Sequence, residues 1–348
     1  MTSYKQYLKA DQTDWLLEKD NPSVRYFALK ELLDKPEDAP DVKRAKKDIL
    51  TSTLVRRLLA NQEQDGYWGN PNQYRSNVMY HGTAWRFMLL ADLGLDGSDE
   101  RIRCTAEYLL NHAQDAQHGG FGSHYEKDGR LGNFIPCFNG IMLWSYIRFG
   151  YFDDPRVQEN LEWVLEHARF DDGEVLDPPE WMIRENRMGG HGCWGRHSCI
   201  RGVGPTLQAL SEIPRCKRTK KVRSVLNNGI EFVLKHHVYK KSHNLKKPMN
   251  QRMIQLGFPS FGSGDMLDFL LILTKEGIQD ERMNDAIRYL IRKQDRNGRW
   301  KMQRSFNDRM VVPIEEKGKP SKWITLRAMI VLKRHFSCEY HGKGKPSL

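Results

Sequence analysis

The sequence predicts an all-α ring of about six helical hairpins, with apolar inner helices around a shared interior and amphipathic outer helices facing water. Three observations carry this. A Gly-aromatic turn recurs at Gln64-Asp65-Gly66-Tyr67-Trp68-Gly69, Gly119-Gly120-Phe121-Gly122, Asp171-Asp172-Gly173, Gly189-Gly190-His191-Gly192-Cys193-Trp194-Gly195 and Gln294-Asp295-Arg296-Asn297-Gly298-Arg299-Trp300. The spacing is roughly 50 to 60 residues, the length of one helical hairpin with a long loop. The stretches between turns have helical periodicity. Strand signals are weak; the best, Met310-Val311-Val312-Pro313-Ile314, holds a proline that confines it to an edge or loop.

The expected outer helices are Tyr4–Leu17, Asp41–Leu59, Glu100–His112, Pro155–His167, Lys220–His237 and Glu281–Arg292. Each has one charged face, as in Arg101–His112, where Ile102, Ala106, Leu109 and Leu110 share the other. The expected inner helices are Pro22–Leu33, Gly82–Leu93, Pro136–Phe149, Gly204–Ile213, Gly262–Leu273 and Ser321–Leu332. These are more apolar and often open on small residues or proline. Pro136 and Pro205 suit a first helical turn, where no intrahelical N–H bond is lost. Stacked pairs can extend or close. Closure is favoured by the long Gly-rich loops and by polar residues on inner helices, His81, Asn139, Asp265 and Asp268, which a dry seam would not need. The whole chain, 1–348, reads as one such domain, with helical-repeat-like hairpins in residues 1–50 and a basic tail at 335–348.

Composition bounds the function. No run of eighteen apolar residues occurs, and the first residues lack a secretory apolar stretch. Six cysteines in 348 residues are too sparse for a disulfide framework, so the expected location is the cytoplasm. The net charge of +11 suits an anionic partner: a phosphorylated small molecule or, peripherally, an anionic membrane surface. No nucleic-acid motif accompanies the charge, so no nucleic acid is expected.

Gln64-x-x-x-Trp68-Gly69 and Gln294-Asp295-x-x-Gly298-x-Trp300 resemble the Gln-Trp repeats of squalene cyclases. Gly119-Gly120-Phe121 resembles a turn of protein prenyltransferase β subunits. The resemblance spans about 54–334. It implies an (α/α)6 toroid in the terpenoid cyclase and prenyltransferase superfamily, with Gln64, Trp68, Gln294 and Trp300 as bracing residues. It further implies an enzyme that binds an isoprenoid or other apolar, diphosphate-bearing substrate in an aromatic cavity. The Asp-x-Asp-Asp acid motif of that superfamily is absent, so no catalytic residue carries over.

Candidate chemistry comes from the residues themselves. Asp265, near the start of an inner helix with Asp268 one turn on, would act as a general acid if it faced an aromatic cavity; helix N-capping is its rival role. His191, Cys193, His197 and Cys199 lie within nine residues, and such N and S groups suit zinc. His191 and Cys193 are also candidates for metal-free catalysis, and a Gly-Trp brace is the structural alternative. Arg196, Arg201 and Lys322 would hold an anionic head group. His81, Trp85 and Trp323 would line the substrate site. A non-catalytic binding scaffold remains the alternative to an enzyme.

Overall fold

The computed structural model describes residues 4–74, 80–173, 177–184, 193, 195–261 and 264–337. Its helices, in chain order, are α1 (Thr13–Leu16), α2 (Pro22–Phe27), α3 (Pro40–Thr51), α4 (Thr53–Leu59), α5 (Thr83–Asp92), α6 (Glu100–His112), α7 (Pro136–Arg148), α8 (Pro155–His167), α9 (Glu180–Arg184), α10 (Ile200–Glu212), α11 (Lys220–Lys235), α12 (Met266–Lys275), α13 (Asn284–Arg292) and α14 (Lys322–Ser337). A π-helical turn, Ala28–Leu32, extends α2. Two short antiparallel hairpins, β1 (His124–Tyr125) with β2 (Leu131–Gly132) and β3 (Lys240–Lys241) with β4 (Asn244–Pro248), are the only paired strands among the described residues. Met310 makes one isolated bridge to Tyr80 and no strand.

Inner helices α5, α7, α10, α12 and α14 pack each on the next, and α14 packs on α2. The remaining gap closes where Phe27 meets Gly94; a Cβ on Gly94 would lie 2.9 Å from that ring. The fold is an (α/α)6 toroid. Outer helices α6 and α8 span the expected residues, because an Asp and a helix-friendly first turn mark their starts. Asp99 and Asp154 cap them, and Arg101 and Arg156, two residues on, each grip that same carboxylate. Asp280 and Arg282 repeat the device before α13.

Several boundaries differ from expectation. The first outer position is broken into a 3-10 turn, Tyr4–Tyr7, and α1. The second breaks at Ser52, whose extended backbone caps α4. Helix α10 starts at Ile200, so Pro205 lies inside it rather than in its first turn. Gly202 and Gly204, poor helix formers, hid that start. Helix α14 runs to Ser337 with His335 buried, so the basic tail does not begin at 335.

The corners brace the ring, with one correction. The working glutamine of the first corner is Gln62, not Gln64, which is exposed. The Gln62 amide donates to the carbonyls of Gly66 (3.3 Å) and Arg101 (2.9 Å). Gln114 reaches Gly119 and Arg156 in the same way. The backbone N–H groups of Trp68, Phe121 and Trp300 donate to Thr83, Asn139 and Thr325, one side chain on each following inner helix. Asn139 is therefore a corner residue and not part of a cavity.

Candidate functional site

A cavity of about 210 Å³ lies inside the ring. Phe27, Trp144, Leu326 and Trp323 supply apolar wall, and Asp92, Asp268 and Arg327 lie among them. Trp323 stacks on Phe258 with ring centroids 4.0 Å apart. Arg327, from the middle of α14, donates to Asp268 Oδ1 at 3.0 Å and lies 3.5 Å from Asp92 Oδ1 at the end of α5. All three side chains are largely buried. Burial pushes the Asp92 carboxyl above the usual carboxylate range, against the opposing pull of Arg327 and Arg148. Nearer the C-terminal ends of the inner helices, burial also raises Glu212, but Arg148 and Lys275 outweigh it and hold that carboxyl below its ordinary value.

At the N-terminal ends of the inner helices a wider mouth of about 660 Å³ opens. Among the described residues, Arg201, Arg252, Arg304 and Arg309 line it with a single carboxylate, Asp308, beside Cys137, Cys193 and Cys199. A recess holding Arg201, Arg252 and Gly264 adjoins the mouth, and Gly264 also lines the central cavity. An aromatic layer borders the mouth, which Tyr80 and Phe306 also line. Tyr80 stacks on Phe261 at 4.8 Å and also meets Phe306, while Trp85 packs edge-on against both Tyr80 and Phe261.

The residues expected at the site fall in different places. Asp265 is fully buried and caps α12, accepting backbone N–H groups from Leu267 (2.8 Å), Asp268 (3.2 Å) and Gly257 (3.1 Å). It does not line the cavity; Asp268, one turn on, does. Burial and the neighbouring Asp268 raise the Asp265 carboxyl to about 7, against the pull of Arg304. Trp323 lines the cavity and Arg201 the mouth, and Trp85 belongs to the aromatic layer. Lys322 is turned away into an ion pair with Glu18 (2.7 Å) and with Asp20, so it is not available to a head group there. His81 and Arg196 are exposed and line neither space.

His191 lies outside the described residues. Among the described residues no three His, Cys, Asp or Glu groups are placed to hold a metal ion. His197 is exposed, 3.9 Å from Asp172. Cys199 stands at the N-cap of α10, where the Cys193 thiol and the N–H groups of Arg201 and Gly202 hold its thiol down to about 6; Cys193, the donor, is held up. Sequence reading missed Asp92, Arg304 and Arg327. The available signal was a lone charge inside an apolar stripe, as in Leu89-Leu90-Ala91-Asp92 and Ile324-Thr325-Leu326-Arg327.

Fold and site together define an α/α toroid with a charged, aromatic-walled interior. Among solved structures the chain is similar to a family 76 glycoside hydrolase from a bovine Bacteroides thetaiotaomicron strain, at 13% identity over 92% of this chain and 67% of that one, with a TM-score of 0.50. It is also similar to a variant of the type II terpene cyclase MstE from Scytonema in complex with geranylgeranyl dihydroxybenzoate, at 11% identity over 90% of this chain and 86% of that one, with a TM-score of 0.44. A third is the α-mannanase BT2949 of Bacteroides thetaiotaomicron, at 12% identity over 91% and 85% of the two chains, TM-score 0.43. No protein family matches the chain by sequence, and no curated protein does.

Proposed function

We propose that this toroid is an enzyme acting on a small molecule with an apolar, isoprenoid-like body and an anionic head. The body enters the central cavity, the head rests at the arginine mouth, and Asp92 and Asp268 move a proton. The observation that carries the proposal is the Asp92–Arg327–Asp268 cluster inside an aromatic wall. A buried ion cluster contributes little net stability, because desolvation offsets the Coulomb attraction. Two carboxylates on one guanidinium are thus poorly explained by packing alone. They suit acid–base chemistry, with Asp92 as the proton-holding member, since its surroundings disfavour its charge. Aromatic walls also suit a developing positive charge.

The volume limits the substrate. A cavity of about 210 Å³ takes only a short apolar segment. Calorimetric titration with inorganic pyrophosphate and then with prenyl diphosphates of rising chain length tests the proposal. Affinity is expected to rise on adding the first prenyl unit or two and then to level off, and Arg327→Met is expected to lose at least tenfold with the prenylated ligands. No heat with any of these ligands sinks it.

A further inference from the structure

The mouth and the cavity are joined by an unbroken line of charges through the wall of the ring. Arg304 lines the mouth and turns its buried Nη2 inward, to 3.6 Å from Asp265 Oδ2. Asp265 and Asp268 close a reciprocal capping box, the Asp268 Oδ2 accepting the Asp265 N–H at 3.0 Å. Asp268 Oδ1 then takes Arg327, which reaches Asp92. Every side chain in the line is at most 16% exposed. Each charge therefore feels its neighbours through a poorly screening medium.

We propose that Arg304 and Asp265 are positioning residues that couple the two spaces: an anion bound at Arg304 makes Asp265 draw a fraction of a proton from solvent, and so sets the charge beside the acid pair in the cavity. This rests on the anionic-head reading above. The sign follows from electrostatics in either geometry. If the anion draws Arg304 away, Asp265 loses the cation that favours its charge. If Arg304 stays, a second negative charge arrives beside it. Both raise its proton affinity. The groups facing Asp265 are Asp268 on its own helix, Arg304 from the loop before α14, Arg327 from α14 and Lys293 after α13. Uptake is measurable near neutrality because the Asp265 carboxyl already stands at about 7. By reciprocity, the anion binds more tightly as pH falls.

The probe is inorganic pyrophosphate, titrated calorimetrically at pH 6 to 8 in buffers of different ionisation enthalpy. The wild-type chain is expected to take up a measurable fraction of a proton per anion. Asp265→Asn, which keeps an N-cap acceptor, should lose that uptake, bind more tightly than wild type at pH 8 and show a flatter pH profile. Protonation of pyrophosphate itself is common to both proteins and cancels in the difference. Cys199 titrates in the same mouth, so Cys199→Ser is included and is expected to keep the Asp265-dependent uptake. Binding with uptake undiminished in Asp265→Asn, or abolished in Cys199→Ser, overturns the coupling while leaving the head-group site standing. No pyrophosphate binding at all overturns the coupling and the head-group site at the arginine mouth; the cavity reading is then decided by the prenyl diphosphates.

Discussion

His335 shows how one buried side chain sets a pH limit on the whole chain. It lies near the end of α14, 4% exposed, and neither ring nitrogen finds a partner. Burial lowers its pKa to about 4. The unfolded imidazole binds a proton at about 6.5, so between those values the unfolded state holds more protons than the folded one. Stability is therefore complete above about pH 6.5 and declines as pH falls toward 4. The loss is on the order of 3 kcal/mol at most. Urea unfolding at pH 7.5 and 4.5 checks this: His335→Gln should narrow the difference between the two, and an unchanged difference would place the acid sensitivity elsewhere. Asp92 works with the opposite sign. Its raised pKa stabilises the fold at low pH, and that contribution disappears as pH rises through the folded value.

At the scale of elements, the corners decide what the sequence could disclose. The Gly-aromatic spacing disclosed the helix pairs, because period and turn chemistry are local. It did not disclose which glutamine braces the first corner. Gln62 and Gln64 flank the same turn, and only the long-range partner distinguishes them: Gln62 reaches Arg101 on the next outer helix. Aligning Gln62-x-x-x-Gly66-x-Trp68 with Gln294-x-x-x-Gly298-x-Trp300 would have found it. Gln62→Ala is expected to cost about 1–3 kcal/mol, since it removes the amide donor shared by the Gly66 and Arg101 carbonyls and Thr105 Oγ1. Gln64→Ala should stay within about 0.5 kcal/mol. Chemical denaturation of the pair measures both; equal effects would refute the corner geometry. The candidate site was less legible for a related reason. Asp265 and Asp268 both stand out in sequence, but which one caps the helix and which one faces the hollow depends on where α12 begins.

Closure of the molecule follows from counting corners against outer helices. Gln62 and Gln114 each bond the start of the outer helix that follows in sequence. After Trp300 the described chain offers only the inner helix α14. The last glutamine instead takes the N-terminal segment: Gln294 donates to the Tyr7 carbonyl and accepts from the Lys9 N–H, both at 2.9 Å. Gln12 reaches Asn297, and Tyr7 stacks on Phe336 at 3.8 Å. An extended stack would have left this corner without a partner, which is a stronger argument for a ring than loop length or polar inner residues. A pair of glycines isolates the contribution of the seam. Gly298 and Gly129 have nearly the same left-handed backbone, φ +79° and +78°, but a Cβ on Gly298 would lie 2.5 Å from the Ala10 carbonyl, whereas Gly129 has open space. Both alanine variants pay the left-handed strain, about 1–2 kcal/mol. Only Gly298→Ala must also push the N-terminal segment off the last corner. Its unfolding free energy is expected to fall below that of Gly129→Ala by at least about 2 kcal/mol, on the scale of overpacking at a buried contact. Protease cleavage should appear first within residues 4–17. Equal losses in the two variants, with no new cleavage there, would mean that the ring does not depend on this seam.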